Sequence, residues 1–480
     1  MSIELLRASL VELRDTLRTR RASALEVMKA VLDRVDATHA DLNAVVARRD
    51  RDALLAEARA ADARIGRGDA RPLEGVPLGV KDLEDVAGMV TSEGSIPFRD
   101  CVAERDSVQV ERLRGAGAIV VGKTNTPEFG YTAITKNLVY GITRSPWDLE
   151  RTPGGSSGGA AAALAGCVLP LVTASDGGGS IRIPASFTGA FGLKPSFGRV
   201  PRGPFAQWEY GDTSVYGPLT KTVEDAALFL DQVVGPSPHD PGSLPHPGLS
   251  YVDALREELP TDLVVGWSPD LGYAVVQADV AAAVEDGLRV FERRGHRIEH
   301  VTAGLPPLGR EWGLLSSFEM AARIHHLLPD RASDFGRAFL EGLEAAATMT
   351  PAIWGRMAEL RARLNAWCAD VFSRVDLLVT PTVPYDPPPA RGPFPKETEG
   401  RRQVPAGVAA FTIPFNLSWH PAATVRVGRS RAGLPIGLQI VGPRHRDDLV
   451  LRAARAFERE RPWHPDWPLA WKPLASAVSR

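Results

Sequence analysis

Hydrophobic residues recur every three or four positions through the first 70 residues, a spacing that predicts helices. The first helix is predicted over residues 3–18, with an apolar side formed by Leu5, Leu6, Leu10, Leu13 and Leu17. A second begins at Ser23, because Ser23 and Glu26 form the capping-box pattern, and a third spans residues 50–65. Residues 1–70 carry no pattern that suggests chemistry, so we expect them to be N-terminal scaffold helices.

From residue 72 onward, short apolar runs typical of strands alternate with amphipathic segments typical of helices. Strands are predicted at residues 76–80, 118–121, 168–173, 262–266, 298–301, 376–380, 423–427 and 436–441. Helices are predicted at residues 107–114, 158–166, 222–235, 279–293, 312–328, 351–374 and 447–459. This alternation favours an α/β fold on a parallel or mixed sheet.

Two proline-rich stretches interrupt the alternation, at residues 236–248 and 386–405. The first could be a linker between domains, but strands and helices resume after it, so we expect an excursion within one domain. The second also carries many charges and is expected to cross the surface as a loop. The sequence therefore predicts a single domain over residues 1–480.

Composition narrows the class of protein. The 480 residues carry a formal net charge of −2, without the basic excess typical of nucleic-acid binding. The three cysteines are far apart and lack metal-ligand spacing, which is typical of a reducing compartment. The first 20 residues lack the apolar core of a signal peptide, and no run approaches the roughly 20 apolar residues of a membrane span. We therefore expect a cytoplasmic protein with no nucleic-acid or membrane partner.

The most unusual stretch is residues 151–196, where two glycine-rich loops flank an apolar helix and an apolar strand. The first loop contains GGSSGG (154–159) and the second contains DGGGS (176–180). Each loop alone is compatible with a flexible surface connection. Together they indicate backbone that approaches a ligand closely, and successive glycine N–H groups can form a concave site for an anion or an oxyanion.

Two motifs in the chain match known patterns but lack the required context. GAIVVGKT (117–124) fits the phosphate-binding pattern G-x4-G-K-T, yet its middle residues favour a buried strand over an exposed loop. GGSSGG contains G-x-S-x-G centred on Ser156 and on Ser157, the pattern of the α/β-hydrolase nucleophile elbow. No convincing strand precedes it, and the downstream histidines, His420, His445 and His464, have no distinguishing context. Both interpretations are therefore disfavoured.

A lysine stands at the end of one predicted strand, in GVPLGVKD (75–82). Most lysines are solvated at the surface. The carboxyl ends of strands in α/β sheets line binding crevices, however, and an apolar environment there lowers the pKa of a lysine. Lys81 is therefore a candidate general base.

Taken together, the motifs resemble the amidase signature family of serine hydrolases. They are GVPLGVKD (75–82), GAIVVGKTNTPEFG (117–130), RTPGGSSGGAAAALAG (151–166), SDGGGSIRIPAS (175–186), GAFGLKPS (189–196) and GLPIGLQIVG (433–442). The resemblance covers nearly the whole chain and is strongest over residues 72–200. It implies the amidase-signature fold, with a mixed central β-sheet covered by helices on both sides, and no metal or organic cofactor.

The resemblance also implies a Ser–cis-Ser–Lys triad. Ser180 matches the nucleophile, Ser156 matches the bridging serine after a cis peptide bond, and Lys81 matches the general base. The expected reaction is hydrolysis of the C–N bond of an amide, aryl amide or carbamate through a Ser180 acyl-enzyme, with ester hydrolysis also possible.

Further residues match the surroundings of that triad. The N–H groups of Gly177, Gly178, Gly179 and Ser180 match the oxyanion hole. Ser157, Asp176 and Arg182 match supporting positions. One residue departs from the family pattern: Gly177 replaces a residue with a side chain, which weakens analogies about the acyl pocket.

The substrate pocket is expected in the segments 125–135, 202–216 and 310–360. Six large side chains of the last segment could line an apolar tunnel or form ordinary core: Trp312, Phe318, Met320, Phe335, Phe339 and Trp354. We expect an apolar or aryl substrate group, with urethanase-like activity on carbamates included.

Two alternatives remain. The chain could be the A subunit of a glutamine-dependent tRNA amidotransferase, or a catalytically silent binding protein, although the intact triad disfavours the latter. Family members are often homodimers, and the sequence leaves monomer and homodimer open.

Overall fold

The computed structural model of the chain describes residues 2–204, 211–302, 304–464 and 466–468. Helices in this part of the chain are α1 (Ser2–Arg7), α2 (Leu10–Arg18), α3 (Ala24–Leu42), α4 (Arg51–Gly66), α5 (Val108–Gly115), α6 (Gly158–Ala165), α7 (Arg182–Thr188), α8 (Val223–Val233), α9 (Tyr251–Ala254), α10 (Ala278–Arg293), α11 (Gly309–Ile324), α12 (Arg337–Ala346), α13 (Pro351–Arg374), α14 (Ile413–Leu417) and α15 (Asp447–Glu460).

The strands are β1 (Val45–Arg48), β2 (Pro77–Lys81), β3 (Ile119–Thr124), β4 (Lys136–Asn137), β5 (Gly141–Ile142), β6 (Leu171–Val172), β7 (Ser175–Asp176), β8 (Phe191–Lys194), β9 (Val215–Tyr216), β10 (Leu219–Thr220), β11 (Val264–Trp267), β12 (Arg297–His300), β13 (Leu377–Pro381), β14 (Glu397–Thr398), β15 (Arg401–Arg402), β16 (Ala422–Arg429) and β17 (Pro435–Val441).

The longer strands form a mixed central sheet in two adjoining parts. One part has the order β1-β3-β2-β6, in which β2 is parallel to β3 and to β6 while β1 is antiparallel to β3. The other has the order β10-β8-β16-β17-β13-β11-β12, in which β11 is parallel to β12 and β13 and the other pairs are antiparallel. The edge strands β6 and β10 lie next to each other without forming a ladder, so the two parts adjoin there.

Helices cover both faces of this sheet, as two neighbouring residues of β17 demonstrate. A Cβ atom on Gly437 would lie 2.5 Å from Ser186 of α7, whereas the side chain of Leu438 faces Gly287 of α10. Consecutive strand residues point to opposite faces, so α7 and α10 pack on opposite sides. The predicted α/β fold with a mixed sheet between helices is confirmed.

The glycine-rich loops lie at the carboxyl edge of the first part of the sheet. Strands β2 and β6 are parallel, so Lys81 at the end of β2 and residues 173–176 after β6 meet at the same edge. Helix α6 follows the first loop and is buried on every side, as expected for a helix with the sequence GGAAAALA. The first loop is thus held by a rigid, buried helix.

Some element boundaries differ from the prediction. The helix expected over residues 3–18 is divided into α1 and α2, because Ser9 is extended and caps α2 in a capping box with Glu12. The strand expected over residues 168–173 is reduced to β6, because Pro170 has no N–H to donate to a ladder. The helix expected over 312–328 is α11, which ends at Ile324.

Other elements were missing from the prediction, including β1, α7, β8 and α12. Residues 386–405 do cross the surface, but they contain the hairpin of β14 and β15. Residues 236–248 contain turns and one isolated bridge, between Ser237 and Asp240, without a helix or strand. None of the helices in the described part of the chain has the length and apolar character that crossing a bilayer requires.

Candidate active site

A buried lysine lies at the end of β2 among three serine hydroxyl groups. Lys81 Nζ is 2.8 Å from Ser156 Oγ and 2.9 Å from both Ser157 Oγ and Ser175 Oγ. The backbone N–H of Lys81 donates to the hydroxyl of Thr173 at 2.9 Å, just after β6. The carboxyl edge of the sheet therefore brings one amine into contact with hydroxyl groups from both glycine-rich loops.

The surroundings of Lys81 disfavour its charged form. Burial lowers the pKa of Lys81 to about 7, although the carboxyl groups of Glu84 and Asp176 oppose this shift. Burial also raises the pKa of Glu84 to about 7, so this carboxyl group is only partly ionised at neutral pH. A substantial fraction of Lys81 is thus neutral near pH 7 and able to accept a proton.

The first glycine-rich loop places Ser156 and Ser157 at the start of α6. The Gly155–Ser156 peptide bond is cis. The carbonyl of Ser156 accepts a hydrogen bond from Thr126 Oγ1 at 3.0 Å. Gly130 has φ of +69° and lies against the serine, so that a Cβ there would be 3.2 Å from Ser156 Oγ. The segment that follows β3 therefore holds Ser156 against Lys81.

The second glycine-rich loop brings Ser180 to the same place. The N–H of Ser157 donates to the carbonyl of Ser180 at 3.3 Å, which joins the two loops. Ser180 is partly exposed and lines a small pocket together with Ser156 and Ser175. The structure thus brings together the three residues that the sequence predicts as nucleophile, bridging serine and base.

The N–H groups of the second loop are used in different ways. The N–H of Gly179 donates to Asp176 Oδ1 at 2.7 Å and is therefore occupied. Within the described residues, no acceptor takes the N–H groups of Gly177, Gly178 or Ser180, and all three residues line the small pocket. Of the four N–H groups predicted for the oxyanion hole, that of Gly179 is bonded within the loop, while those of Gly177, Gly178 and Ser180 have no acceptor among the described residues.

A buried ion pair supports this loop from behind. Arg182 donates to Asp176 through Nε at 3.0 Å and through Nη2 at 2.9 Å. Burial alone would raise the pKa of Asp176, but Arg182 and the amide of Asn416 hold it well below its usual range. Arg182 Nη1 also donates to the carbonyl of Thr412 at 3.0 Å and to Gln439 Oε1 at 2.9 Å. The pair therefore connects the loop to the last quarter of the chain.

A cavity of about 830 Å³ opens in front of Ser180, a size that accommodates a drug-like organic molecule. Its lining in the described chain contains two cationic side chains, Lys396 and Arg402, and no carboxylate. The apolar and aromatic lining residues are Tyr131, Ala133, Ile183, Trp312, Tyr385, Phe394, Pro395, Val404, Pro405, Ala406, Val408 and Ala409. The stretch predicted only as a surface loop therefore also forms a wall of this cavity.

The large side chains of the segment 310–360 divide between cavity, core and surface. Trp312 lines the cavity, whereas Phe335 and Phe339 pack against Phe129 in a buried cluster that also contains Met320. The remaining two, Phe318 and Trp354, are exposed. One of the six side chains therefore lines the cavity and three form ordinary core, so each of the two predicted roles applies to part of the set.

The other two predicted pocket segments also contribute. From the segment 125–135, Gly130, Tyr131, Thr132 and Ala133 line the cavity. From the segment 202–216, Arg202, Ser214 and Tyr216 line the small pocket beside Ser180, and residues 205–210 lie outside the described residues.

The residues of the two disfavoured motifs pack within the fold. Lys123 of GAIVVGKT is buried in β3, with Nζ donating to Thr91 Oγ1 at 3.0 Å and to the carbonyl of Glu84. Ser157 stands at the N-terminal boundary of α6 without a side-chain capping bond, and no strand directly precedes it in the described loop. His420 is buried and stacked on Phe372. No group of three or more His, Cys, Asp and Glu side chains in the described ranges is arranged to hold a metal ion.

Sequence reasoning missed several side chains that surround the site. Ser175 contacts Lys81, and Thr412 donates to the carbonyl of Gly178 at 2.6 Å. Asn416 donates to Asp176. Ser175 could have been found from its place in SDGGGS, but nothing local distinguishes a threonine or an asparagine more than 200 residues away.

Comparisons with known proteins show which family the chain resembles over most of its length. The profile of the Amidase family matches residues 26–451. An acylamidase from Rhodococcus erythropolis is 37% identical over 472 residues, covering 95% of this chain and 96% of that protein. The A subunit of the glutamyl-tRNA(Gln) amidotransferase of Geobacter sp. (strain M21) is 32% identical over 491 residues, covering 96% of this chain and 99% of that protein.

A similar fold is found among solved structures. The crystal structure of a bacterial aryl acylamidase of the amidase signature enzymes superimposes with a TM-score of 0.90 at 30% identity. The match covers 97% of this chain and 99% of that enzyme. Similarity therefore extends over nearly the whole architecture.

Proposed function

The chain belongs to the amidase signature family, and from this we propose that Ser180 is its nucleophile, Ser156 its bridging serine and Lys81 its general base. The protein is an amidase, a hydrolase of amide C–N bonds. A serine hydroxyl is a weak nucleophile that needs a base, and a neutral lysine can supply one without a histidine.

The proposed reaction moves one proton along a short relay. Neutral Lys81 accepts the proton of Ser156, and Ser156 accepts that of Ser180 as Ser180 Oγ bonds to the substrate carbonyl carbon. The carbonyl oxygen becomes an oxyanion held by the N–H groups of Gly177, Gly178 and Ser180. The proton returns through Ser156 to the leaving nitrogen as the C–N bond breaks. Water then cleaves the acyl-enzyme by the same relay.

The observation that carries this proposal is the environment of Lys81. A fully buried amine with a pKa of about 7 contacts three hydroxyl groups, and two of the serines that carry them, Ser156 and Ser175, line the same small pocket as Ser180. Amines in water are almost fully protonated at neutral pH, so this burial has a chemical consequence. Perturbed pKa values of this kind are typical of catalytic bases.

We further propose an uncharged amide with an apolar or aryl group as the substrate. The aromatic lining of the cavity supports this class, as do the names of the similar enzymes, acylamidase and aryl acylamidase. Carbamates and esters present the same carbonyl geometry to Ser180, so urethanase-like activity belongs to the proposal. The proposal also includes a cytoplasmic location, a single domain, and a monomeric or homodimeric state without a nucleic-acid partner.

A second candidate function is the A subunit of a glutamine-dependent tRNA amidotransferase. It is favoured by the 32% identity to a protein of that kind over nearly the full length of both chains. A glutaminase must bind the charged α-amino and α-carboxylate groups of glutamine. The cavity in front of Ser180 has no carboxylate in its described lining to bind an ammonium group, so we place this function second.

Labelling with a serine-directed fluorophosphonate followed by intact-mass measurement tests the site assignment. We expect one adduct on the wild-type protein, no adduct on Ser180→Ala, and no measurable turnover of an anilide by that variant. Ser418→Ala is a matched control at a buried serine that contacts His420, and it should label normally.

The two candidate functions are separated by substrate. We expect hydrolysis of 4-nitroacetanilide by the isolated chain and negligible release of ammonia from glutamine. Glutaminase activity that exceeds anilide hydrolysis and requires a co-purified partner protein would favour the amidotransferase function instead. An adduct that persists in Ser180→Ala would move the nucleophile to another serine.

A further inference from the structure

The indole of Trp312, at the start of α11, contacts the nucleophile loop through both its polar and its apolar parts. Its Nε1 donates to the carbonyl of Gly177 at 2.9 Å. Its six-membered ring lies over the next residue so closely that a Cβ on Gly178 would be 2.5 Å from Cζ2. Only glycine permits this approach, so the ring and the loop form one packed unit.

The hydrogen bond from Trp312 determines where one N–H group points. The carbonyl of Gly177 and the N–H of Gly178 belong to the same planar trans peptide, in which these groups point in opposite directions. A carbonyl directed at the indole therefore directs the N–H of Gly178 to the opposite side. That N–H has no acceptor in the described part of the chain, and Gly178 lines both the cavity and the small pocket.

The next peptide is fixed in a different way. Thr412 Oγ1 donates to the carbonyl of Gly178 at 2.6 Å, and the N–H of Gly179 on the other side of that peptide donates to Asp176. Thr412 and Asp176 thus orient the peptide between Gly178 and Gly179, whose N–H group is already bonded and cannot donate to a substrate. Trp312 alone, among the described side chains, bonds to the carbonyl of Gly177.

We propose that Trp312 is a positioning residue for the oxyanion hole: its indole N–H aims the N–H of Gly178 at the substrate oxygen. This inference rests on the proposed function, in which Ser180 forms a tetrahedral adduct. The same ring lines the cavity, so one side chain both contacts substrate and orients a catalytic donor.

The proposed role of Trp312 predicts different effects on the binding of two kinds of ligand. An oxyanion donor contributes little to binding of a planar carbonyl and much to binding of the tetrahedral adduct. Loss of the indole N–H should therefore weaken tetrahedral adducts while leaving ground-state ligands nearly unchanged. A tryptophan that merely packs against ligands would affect both kinds of ligand equally.

The test compares two inhibitors of nearly the same shape on Trp312→Phe, which keeps an aromatic ring and removes the N–H. The first is 1,1,1-trifluoro-4-phenylbutan-2-one, whose carbonyl carbon accepts Ser180 Oγ while the proton passes to the relay, forming an oxyanion. The second is 4-phenylbutan-2-one, whose unactivated ketone binds without addition. Trp419→Phe is the matched control, because Trp419 Nε1 also donates to a backbone carbonyl, that of Asp212 at 2.7 Å, and Trp419 lines neither the cavity nor the small pocket.

For Trp312→Phe we expect the inhibition constant of the trifluoromethyl ketone to rise about 10- to 100-fold, with kcat/KM falling in parallel. The inhibition constant of the methyl ketone should change less than about threefold, as should the inhibition constants of both ketones in Trp419→Phe. Equal weakening of both ketones, or of neither, would overturn the positioning role. If Trp312→Phe does not fold, Trp312→Met provides the same comparison.

This experiment separates the inference from the assignment on which it depends. If wild-type protein gave no fluorophosphonate adduct at Ser180, the proposed nucleophile would be wrong. If the adduct formed normally and the two ketones responded alike to Trp312→Phe, only the role of Trp312 would be wrong.

Discussion

Replacement of Asp176 by asparagine should be among the most damaging conservative changes in the chain. Three donors reach each oxygen of this buried carboxylate. Oδ1 accepts from Gly179 N at 2.7 Å and from Arg182 Nη2 and Asn416 Nδ2 at 2.9 Å. Oδ2 accepts from Ile181 N at 3.1 Å, Arg182 Nε at 3.0 Å and Arg182 N at 3.4 Å.

The expected loss of stability follows from these six hydrogen bonds. Whichever way the amide of Asp176→Asn is oriented, its NH2 group faces three donors, and Arg182 is left as a buried charge without its partner. Removal of one partner from a buried ion pair typically costs about 3–5 kcal/mol. We therefore expect the free energy of unfolding to fall by about that amount and kcat/KM for an anilide to fall at least about 100-fold, because Gly179 loses its anchor.

The pH dependence of stability gives a second readout. The pKa of Asp176 is held well below its usual range in the folded protein, so its contribution to stability is complete above about pH 4. The contribution is lost as pH falls further, through the folded-state pKa. Asp176→Asn lacks this titration, so the difference in stability between wild type and variant should shrink on acidification.

Urea unfolding followed by tryptophan fluorescence would measure these differences at about pH 7 and about pH 3, on either side of the ordinary pKa of an aspartate. Glu341→Gln is the control, because Glu341 forms an exposed pair with Arg337, and such pairs contribute about 0–1 kcal/mol. A free energy of unfolding for Asp176→Asn within about 1 kcal/mol of wild type would refute the reasoning.

Two further predictions concern the base and the nucleophile loop. Only neutral Lys81 can accept a proton and its pKa is about 7, so kcat/KM should fall about tenfold per pH unit below that value and level off above it. Lys81→Ala should lose at least about 1000-fold in activity, and a flat profile of wild type from about pH 5 to about pH 8 would contradict a lysine base. Gly178→Ala should lose about 100-fold in kcat/KM, because its Cβ would lie 2.5 Å from Trp312. Gly355→Ala has no atom within 4 Å of the added Cβ and should retain activity, so equal rates for the two alanine variants would contradict this packing.

Local pattern and the family resemblance together predicted which side chains meet at the carboxyl edge of the sheet. Lys81 ends a short apolar strand, while Ser156 and Ser180 stand in loops too rich in glycine for ordinary connections. These features, with the family resemblance, predicted the juxtaposition that the structure contains. The roles assigned to the three residues remain proposals.

Other features of the fold could not be predicted, because two sequence signals in the same segment favoured different structures or because no local signal was present. The leucine spacing over residues 3–18 obscured the capping box at Ser9, although the pair Ser9 and Glu12 is visible in the sequence. Pro170 shortens β6 for a reason that is equally visible. Trp312 could be named only as one of six large side chains, because no periodicity shows which of them faces a glycine loop 135 residues earlier.

The nucleophile loop is supported by residues that the ribosome adds late in synthesis. Arg182 bonds to Thr412 and Gln439, which lie 230 and 257 positions later in the chain. A ribosome that has not yet reached Thr412 has already produced the lysine and both serines, but not Thr412, Asn416 and Gln439, which contact the loop or its ion pair. Contacts of such long sequence separation form late in folding. We therefore expect a chain that ends before Thr412 to lack amidase activity.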